Sequence, residues 1–270
     1  MVQQIALIGF GEAGATFARA AGWGGAARAY DVRPERSAPA AELGVQFCPS
    51  AAAALAGADL VLSLVTADAA LAVARDCAPL IAAGALWCDM NSVSPDTKRA
   101  AAAAITAAGG RYVDVAVLAP VDPARLNVPL LLAGDAADAA AVALAAAGFV
   151  RISVVGAEIG RASAIKLIRS VMVKGIEALT AEMMLASNRA GVGEAVLASL
   201  DASERHESWF VRAAYNLDRM AQHGERRAAE MEHCASTLDA LGVAPLMTRA
   251  TVERQRAAAG TIIPSPPPPA

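Results

Sequence analysis

A short apolar run followed by three closely spaced glycines opens the chain. The stretch from Ile5 to Ala20 reads IALIGFGEAGATFARA, with a G-x-G-x-x-G spacing. After a strand and before a helix, this spacing brings backbone N–H groups and the positive helix end to the pyrophosphate of a dinucleotide. The alternative is a chance match, because the chain contains 21 glycines. The predicted phosphate-binding turn comprises Gly9, Phe10, Gly11, Glu12, Ala13 and Gly14.

The next apolar run, Ala27–Tyr30, ends at an acidic residue. Asp31 follows the turn by about 20 residues, where an acid can accept hydrogen bonds from the ribose of the cofactor and repel a 2′-phosphate. This favours NAD, although Arg33 could bind that phosphate and leaves NADP open. The alternative role for Asp31 is to cap a helix or turn. Val65 and Thr66, which follow a later apolar run, are predicted to contact the same cofactor.

The first half of the chain alternates short apolar runs with alanine-rich segments. This rhythm is typical of parallel strands covered by helices. The predicted strands are Gln4–Ile8, Ala27–Tyr30, Leu60–Leu64, Ala85–Cys88, Tyr112–Val115, Leu130–Ala133 and Arg151–Val155. The predicted helices are Ala13–Ala21, Ser50–Leu55, Asp68–Ala78, Pro95–Ala108 and Ala136–Ala147.

After Gly160 the pattern becomes helical throughout. Apolar residues recur at spacings of three and four in a long helix that ends at Gly191, and we expect this stripe to be buried. The stripe consists of Ile165, Ile168, Met172, Ile176, Leu179 and Met183. Further helices are predicted over residues 193–200, 206–222, 226–241 and 245–258.

The sequence thus predicts an α/β Rossmann-type parallel sheet domain followed by an all-α C-terminal domain. The predicted boundaries are residues 1–157 for the dinucleotide-binding domain and 158–259 for a helical substrate and dimerisation domain. Residues 260–270 end in PSPPPPA, which predicts a disordered tail because proline neither continues a helix nor joins a strand ladder.

Composition excludes several classes of partner. The net charge of −3 gives no basic face for nucleic acid. There is no run of about 18 uncharged apolar residues, so no membrane span is expected. The N-terminus lacks a basic region ahead of its apolar run, so we expect a cytoplasmic protein. The four cysteines lack metal-ligand spacing, so we expect no metal site and mostly buried, reduced thiols at Cys48, Cys77, Cys88 and Cys234.

Three further segments carry a family resemblance. They are DMNSVSP (Asp89–Pro95), YVDVAVLAP (Tyr112–Pro120) and GRASAIKLIRS (Gly160–Ser170). Together with the glycine turn they resemble the β-hydroxyacid dehydrogenase family, which includes 3-hydroxyisobutyrate dehydrogenase, tartronate semialdehyde reductase and 6-phosphogluconate dehydrogenase. The C-terminal segments RRAAEMEHC and GVAP are similar to a less characterised branch with a short all-helical C-terminal domain. The resemblance implies a nicotinamide cofactor, a small-molecule substrate and a catalytic lysine at Lys166.

The residues around Lys166 give a separate reason to expect catalysis there. Lys166 lies one turn into the long helix, and Ser170 follows one turn later on the same side. We expect this polar strip to border a cleft at the carboxyl edge of the sheet, where a partly desolvated ammonium can donate a proton to a carbonyl oxygen. The alternative is a surface lysine whose stem lies along the helix. Lys174 is a second candidate, as a contact for a phosphate or carboxylate or as a structural contact.

The resemblance also implies which residues contact the substrate. Asn91 and Ser92 lie in the family's substrate-binding segment, although Ser92 or Ser94 is equally able to cap the following helix. Ser170 stands where the family has asparagine.

The remaining substrate residues depart from the family or have a competing explanation. Leu118, Ala119 and Pro120 stand where the family has a serine-glycine-glycine loop, and proline removes one N–H donor. This departure indicates a larger or more apolar substrate. Arg227, or its neighbour Arg226, is expected to contact a substrate carboxylate, unless the two arginines form a solvated helix face.

These observations predict an NAD(P)-dependent oxidoreductase that interconverts a hydroxy acid, or a related alcohol, with its carbonyl compound. One alternative is an imine reductase, against which Lys166 argues because such relatives usually lack a lysine there. Another is a protein that binds NAD(P) without turnover. Because a helical domain of about a hundred residues has little core of its own, we expect a homodimer through the C-terminal helices.

Overall fold

The apolar runs of the first half form the strands of one sheet. The strands are β1 (Ile5–Ile8), β2 (Ala27–Tyr30), β3 (Gln46–Phe47), β4 (Leu60–Ser63), β5 (Leu86–Asp89), β6 (Arg111–Val117), β7 (Leu130–Ala133) and β8 (Ile152–Val154). The computed structural model describes residues 4–203 and 207–262, and within them these eight strands have the order β3-β2-β1-β4-β5-β6-β7-β8. β1, β4 and β5 are buried along their whole length, as expected for strands covered on both faces.

The direction of the strands confirms the predicted fold class, with one difference. All neighbouring pairs from β3 to β6 are parallel, and so are β7 and β8, but β6 and β7 are antiparallel. Hydrophobic periodicity does not report strand direction, so the sequence could not predict this pairing. The order of the strands reverses between β1 and β4, and this arrangement creates a crevice at their carboxyl ends.

Helices cover both faces of the sheet. Those that follow the predicted pattern are α1 (Glu12–Ala21), α3 (Ala51–Leu55), α4 (Ala70–Cys77), α5 (Pro95–Ala107) and α7 (Ala137–Ala146). Two short helices, α2 (Ser37–Glu42) and α6 (Val121–Ala124), were not predicted, and neither was the two-residue strand β3. They are too short to show a periodic pattern.

Two apolar clusters, one on each face of the sheet, form the core. In one, the rings of Phe17 and Phe149 pack edge to face with centroids 5.0 Å apart, and the indole N–H of Trp23 donates to the carbonyl of Ala147 at 2.8 Å. The other contains the buried side chains of Trp87 and Ile105. Residues of β1 alternate between the two clusters, so this strand connects the two halves of the core.

The chain divides into two compact units between Ser170 and Val171. The long helix α8 (Arg161–Ala190) begins in the first unit, where the buried Ala162 packs against Ala116 and Ala133. The division therefore lies after the boundary expected at residue 157, because the first residues of α8 belong to the packing of the first unit.

The second unit contains α9 (Gly193–Ser203), α10 (Trp209–Ala240) and α11 (Leu246–Ala258). The prediction of two helices over residues 206–222 and 226–241 is wrong, because α10 is continuous. Gly224, which lies between the two predicted helices, is a contact point: a Cβ there would lie 2.3 Å from the carbonyl oxygen of Gln255 on α11. His206 and residues 263–270 of the expected tail lie outside the described residues.

A buried carboxylate caps the start of α11 in the second unit. Glu182 accepts hydrogen bonds from the backbone N–H groups of Met247 at 2.8 Å and Thr248 at 2.9 Å, and from the Thr248 hydroxyl. Burial alone would raise the pKa of Glu182, but the hydrogen bonds from Thr248 and Met247 outweigh this effect and hold the pKa below its usual value.

The apolar stripe of α8 is not buried, which corrects the expectation from its periodicity. Ile168 is 72% exposed, and Ile165, Met172, Ile176 and Leu179 are also exposed. Val171, beside the stripe, is 76% exposed. Periodicity shows that a helix has an apolar face but not what covers that face. Among the described residues, no helix is both long and apolar enough to span a bilayer.

Candidate functional site

The glycine turn after β1 has a geometry that only glycine allows. Gly9 has a φ of +93° and donates its N–H to the carbonyl of Tyr30 at 2.8 Å. A Cβ on Gly9 would lie 2.5 Å from the carbonyl oxygen of Leu64, which follows β4. A Cβ on Gly14 would lie 3.0 Å from the carbonyl oxygen of Gly9. The turn is therefore compressed against the neighbouring loop, and its backbone forms the surface of the crevice.

The start of α1 presents backbone donors to this crevice. Gly11, at the N-cap, has no side chain to cap the helix, so the first-turn N–H groups of Glu12 and Ala13 are suited to an anionic ligand. Glu12 is exposed at the first helical position, where a carboxylate interacts favourably with the helix dipole. Phe10 differs from the other turn residues, since its ring is buried and its N–H donates to Asp31.

Asp31 has the capping role that the sequence left open. One carboxylate oxygen accepts the N–H of Phe10 at 2.8 Å, and the other accepts the backbone N–H of Arg33 at 2.9 Å and its Nε at 3.3 Å. Burial alone would raise the pKa of Asp31, but the hydrogen bonds from Arg33 and Phe10 lower it below its usual value. Asp31 thus caps the turn and stays ionised at the edge of the crevice.

A cleft of about 600 Å³ opens beside these residues. Its wall is mostly apolar, with Asp31, Arg33, Thr66 and Asp76 among its polar residues, which is the composition expected of a small-molecule site. The predicted cofactor residues Gly9, Gly11, Asp31, Arg33, Val65 and Thr66 all line it. Glycines that leave no room for a Cβ, a free helix start and an acid at the rim together fit the phosphate and adenosine parts of a dinucleotide.

The buried cysteines are not candidates for nucleophilic chemistry. Cys77 lines the cleft, but burial, and then the nearby Asp76 carboxylate, raise its pKa to about 11. Burial raises the pKa of Cys88 to about 12. Both thiols therefore stay protonated near neutral pH. The prediction of mostly buried thiols is confirmed, since Cys48 is buried as well and Cys234 is exposed.

The structure brings Lys166 and Ser92 together. Lys166 Nζ donates a hydrogen bond to Ser92 Oγ at 2.5 Å. Ser92 is available for this contact because Ser94, not Ser92, caps α5 by accepting the N–H of Thr97 at 3.2 Å. Ser170 is turned to its own helix, and its hydroxyl donates to the carbonyl of Lys166 at 2.9 Å.

The other predicted substrate residues have different surroundings. Asn91 is buried, and its side-chain amide donates to Ser63 Oγ at 3.0 Å and to Asp89 Oδ1 at 2.8 Å. Leu118 and Ala119 are half-buried in the loop after β6, and the N–H of Leu118 donates to the Pro129 carbonyl.

Arg227 is half-buried on α10 in the second unit. Its role toward a substrate stays a prediction.

Comparison with known proteins places these features in a family. The family model described as the NAD binding domain of 6-phosphogluconate dehydrogenase matches residues 4–176, and a domain of unknown function (DUF1932) matches residues 187–258. The chain belongs to the 6-phosphogluconate dehydrogenase-like family. Its first unit is an NAD(P)-binding domain of the dehydrogenase and reductase type.

Several relatives share much of this architecture. A conserved hypothetical protein from Sinorhizobium meliloti is 41% identical, with 95% of this chain and 88% of that chain covered and a TM-score of 0.65. A conserved protein of unknown function, described as structurally similar to 3-hydroxyacid dehydrogenases, is 28% identical with a TM-score of 0.63, covering 94% of this chain and 97% of that one. An imine reductase from Myxococcus stipitatus in complex with NADP+ has 21% identity, a TM-score of 0.78 and coverage of 94% and 93%.

One curated relative aligns over part of its length. An uncharacterised 28.5 kDa protein from Methanothermus fervidus is 28% identical over 165 residues, which span 61% of this chain and 62% of that protein.

This family member also contains a buried polar cluster that sequence reasoning missed. Asp89, Lys98 and Asp114 are at most 1% exposed. Lys98 Nζ lies 3.0 Å from Asp89 Oδ1 and 3.4 Å from Asp114 Oδ1. The available signal was an aspartate in each of two mostly apolar strands, LWCD and RYVDVAV, because a buried carboxylate requires a partner.

Proposed function

We propose that this family member transfers hydride between a nicotinamide cofactor and the carbinol or carbonyl carbon of a hydroxy acid or related alcohol, with Lys166 as general acid and base. The observation that carries the proposal is the hydrogen bond from Lys166 Nζ to Ser92 Oγ. It holds an ammonium group beside the loop that follows β5, at the carboxyl edge of the sheet where ligands bind in open α/β folds.

The proton chemistry follows from the two side chains. An ammonium carries three N–H donors, and Ser92 accepts one of them. Lys166 donates a proton to the carbonyl oxygen in the direction of reduction, and its neutral amine takes the hydroxyl proton in the direction of oxidation. The bound nicotinamide supplies or accepts the hydride at the substrate carbon.

The cofactor is held, in this proposal, by the glycine turn and the cleft beside it. The first-turn N–H groups of α1 bind the pyrophosphate, and Asp31 binds the ribose of the adenosine half. The ionised Asp31 favours NAD over NADP because it repels a 2′-phosphate. Arg33, which is half exposed beside it, offers that phosphate a partner and limits the preference.

The substrate, in this proposal, is more apolar than the small hydroxy acids handled by family members with a serine-glycine-glycine loop. Leu118 and Ala119 replace two of the loop residues, and the N–H of Leu118 is already bonded to the Pro129 carbonyl. A substrate carboxylate would then depend on another donor.

Reduction of an imine is the second candidate. Imine reductases from Pseudomonas sp. and Myxococcus stipitatus share the fold with TM-scores of 0.75 and 0.78, at 19% and 21% identity. An ammonium at Lys166 is also able to protonate the nitrogen of a C=N bond as hydride reaches the carbon. Binding of NAD(P) without turnover is the remaining alternative.

A substrate panel separates these functions. The purified protein is assayed with NADH and NADPH against hydroxy acids, 2-oxo acids, ketones and cyclic imines, and cofactor binding is measured by calorimetry. We expect turnover of C=O or CH–OH compounds. Turnover of imines alone would replace the first proposal by the second, and cofactor binding without turnover across the panel would contradict both.

We also propose that a second copy of the chain covers the exposed apolar side chains of the second unit. In addition to residues of the α8 stripe, Trp209 and Phe210 at the start of α10 are exposed, as are Leu197 and Leu200 on α9. Exposed apolar residues on consecutive helices indicate an association surface, and a symmetric dimer would bury the same surface on both copies.

A further inference from the structure

The start of α8 is held by a side chain from the sheet. Asp114, fully buried on β6, accepts the backbone N–H groups of Gly160 at 3.2 Å and Ser163 at 3.0 Å through one carboxylate oxygen. The Ser163 hydroxyl donates to the Gly160 carbonyl at 3.0 Å and closes the turn. Lys166 follows Ser163 by less than one helical turn, so the position of its backbone depends on this attachment.

Gly160 allows the start of α8 to lie close to the start of α5. It has a φ of +98°, and a Cβ there would lie 2.9 Å from the Cβ of Pro95, the first residue of α5. The first turns of α5 and α8 are therefore in close contact, and Ser92 lies in the loop just before α5.

Lys98 connects Asp114 to the other side of the Lys166–Ser92 contact. Its fully buried ammonium lies between Asp114 and Asp89 and donates to the Asp89 carbonyl at 2.6 Å. Asp89 Oδ1 accepts the backbone N–H of Asn91 at 2.9 Å, which fixes the residue before Ser92. A buried ammonium is stable only with such partners, so the three charges form one unit.

We propose that Asp114 is a positioning residue which, through Gly160 and Ser163, holds Lys166 against Ser92. The proposal rests on the proposed function for its catalytic meaning, since it concerns the same lysine. It assigns Asp114 no contact with substrate or cofactor: the carboxylate acts by fixing the start of α8, while Lys98 and Asp89 fix the loop that carries Ser92.

The small number of lysines in the chain allows the mobility of the Lys166 side chain to be measured directly. The chain contains three lysines, Lys98, Lys166 and Lys174. Protein labelled with 13C at the lysine ε-carbon therefore gives three ε-methylene signals, assigned by substitution, whose heteronuclear NOE reports side-chain mobility on the ps–ns timescale. In the unmodified protein we expect Lys166 to be as rigid as the buried Lys98, and Lys174, which is exposed, to be mobile.

Asp114→Asn is the first test variant. It leaves Lys98 and Asp89 as a neutral pair, so the variant is expected to fold. We expect the Lys166 signal to reach the mobility of Lys174 while the affinities for NADH and NADPH, measured by calorimetry, stay unchanged. On an identified substrate, kcat should fall on the order of 100-fold, the effect expected of a reacting group misplaced by about 1 Å. Gly160→Ala is the second variant. It displaces Gly160, whose N–H donates to Asp114, without changing a charge, and it is expected to mobilise Lys166 in the same way.

The matched control is Glu182→Gln in the second unit. Glu182 is also a buried carboxylate that caps a helix through two backbone N–H groups, but that helix is α11. We expect this variant to lower stability and to leave Lys166 rigid and kcat unchanged, whereas a general loss of stability would mobilise Lys166 in both variants.

The outcomes separate this proposal from the proposed function. A Lys166 side chain that is mobile in the unmodified protein, or that stays rigid in folded Asp114→Asn and Gly160→Ala, overturns the positioning role. If Lys166 becomes mobile but turnover is unchanged, the positioning role stands and the catalytic role of Lys166 is wrong.

Discussion

The two units of the chain place their apolar residues in opposite ways. In the first unit, strands such as β4 are buried along their length, and the aromatic rings of Phe17 and Phe149 pack inside. In the second, large apolar side chains such as Val171 and Trp209 are exposed. The first unit therefore has a complete core, whereas the second leaves large apolar side chains exposed, as the proposed self-association requires.

Each unit also fixes one helix through a buried carboxylate. Asp114 caps α8 and faces the ammonium of Lys98, and Glu182 caps α11 through hydrogen bonds from Met247 and Thr248. The contrast predicts that substitutions in the first unit affect chemistry and cofactor choice, and that substitutions in the second affect association and stability.

The largest effect is expected at Lys166. Lys166→Met should lower kcat by about 10²- to 10⁴-fold, the usual contribution of a general acid or base, without weakening cofactor binding. Lys166→Arg should lower kcat as well, because a guanidinium keeps its proton near neutral pH. Lys174→Met, measured beside it by steady-state kinetics, should retain turnover. The reverse result would move the catalytic role to Lys174.

An association test addresses the second unit. Val171→Glu introduces a charge into the exposed apolar face, and it should weaken self-association by about 100-fold, since a buried, unpaired carboxylate costs several kcal/mol. Val142→Glu on α7 is the matched control, because Val142 is 73% exposed in the first unit. Sedimentation velocity over a concentration series measures both. A protein that is monomeric before substitution, or equal effects of the two variants, would remove the contrast between the units.

A smaller effect is expected in the cofactor site. Asp31→Ala removes the carboxylate that repels a 2′-phosphate and releases the guanidinium of Arg33, so the ratio of NADPH to NADH affinity should rise by about tenfold, or 1.4 kcal/mol. Calorimetric titration with each cofactor measures this ratio, and Asp68→Ala, at an exposed acid outside the cleft, is the control. An unchanged ratio would contradict the proposed ribose contact of Asp31.

The smallest effect concerns pH and the second unit. The pKa of Glu182 is lowered in the folded protein, so its stabilisation is complete above the unfolded value of about 4.5 and is lost as the pH falls through the lower folded value. Glu182→Gln should cost about 1 kcal/mol near neutral pH and should reduce the loss of stability on acidification.

Hydrogen exchange of the α11 amides at pH 7 and near pH 4 measures this change. Glu253→Gln, at an exposed glutamate on α11, should match the unmodified protein. Equal acid sensitivity of all three proteins would show that Glu182 does not stabilise the start of α11.

The sequence predicted most of the first unit because buried parallel strands appear as continuous apolar runs. Ala27–Tyr30 and Leu130–Ala133 were predicted with their observed bounds, whereas β3 has two residues and gives no pattern. In the second unit, the break predicted between residues 222 and 226 contains Gly224, which instead makes a close contact with α11. A glycine required by packing and a glycine required by a turn have the same letter, and only the tertiary contacts distinguish them.

The sequence identified those residues of the candidate site that lie in recognisable motifs. Lys166 and Ser92 were both identified from segments separated in sequence, and they share a hydrogen bond. The support beneath them was not predicted, because Asp89, Lys98 and Asp114 interact across two strands and a helix. Local patterns cannot show which buried acid faces which buried base.

The attachment of Arg33 to Asp31 makes the two positions epistatic. Because both the backbone N–H and the side chain of Arg33 bond to Asp31, a change at one position alters what the other presents to the cleft. The free energies of single substitutions should therefore not add. A scan that varies one residue at a time would miss this coupling, which only the double variant reports. Variation among homologues at Asp31 and Arg33 should therefore be analysed as a pair.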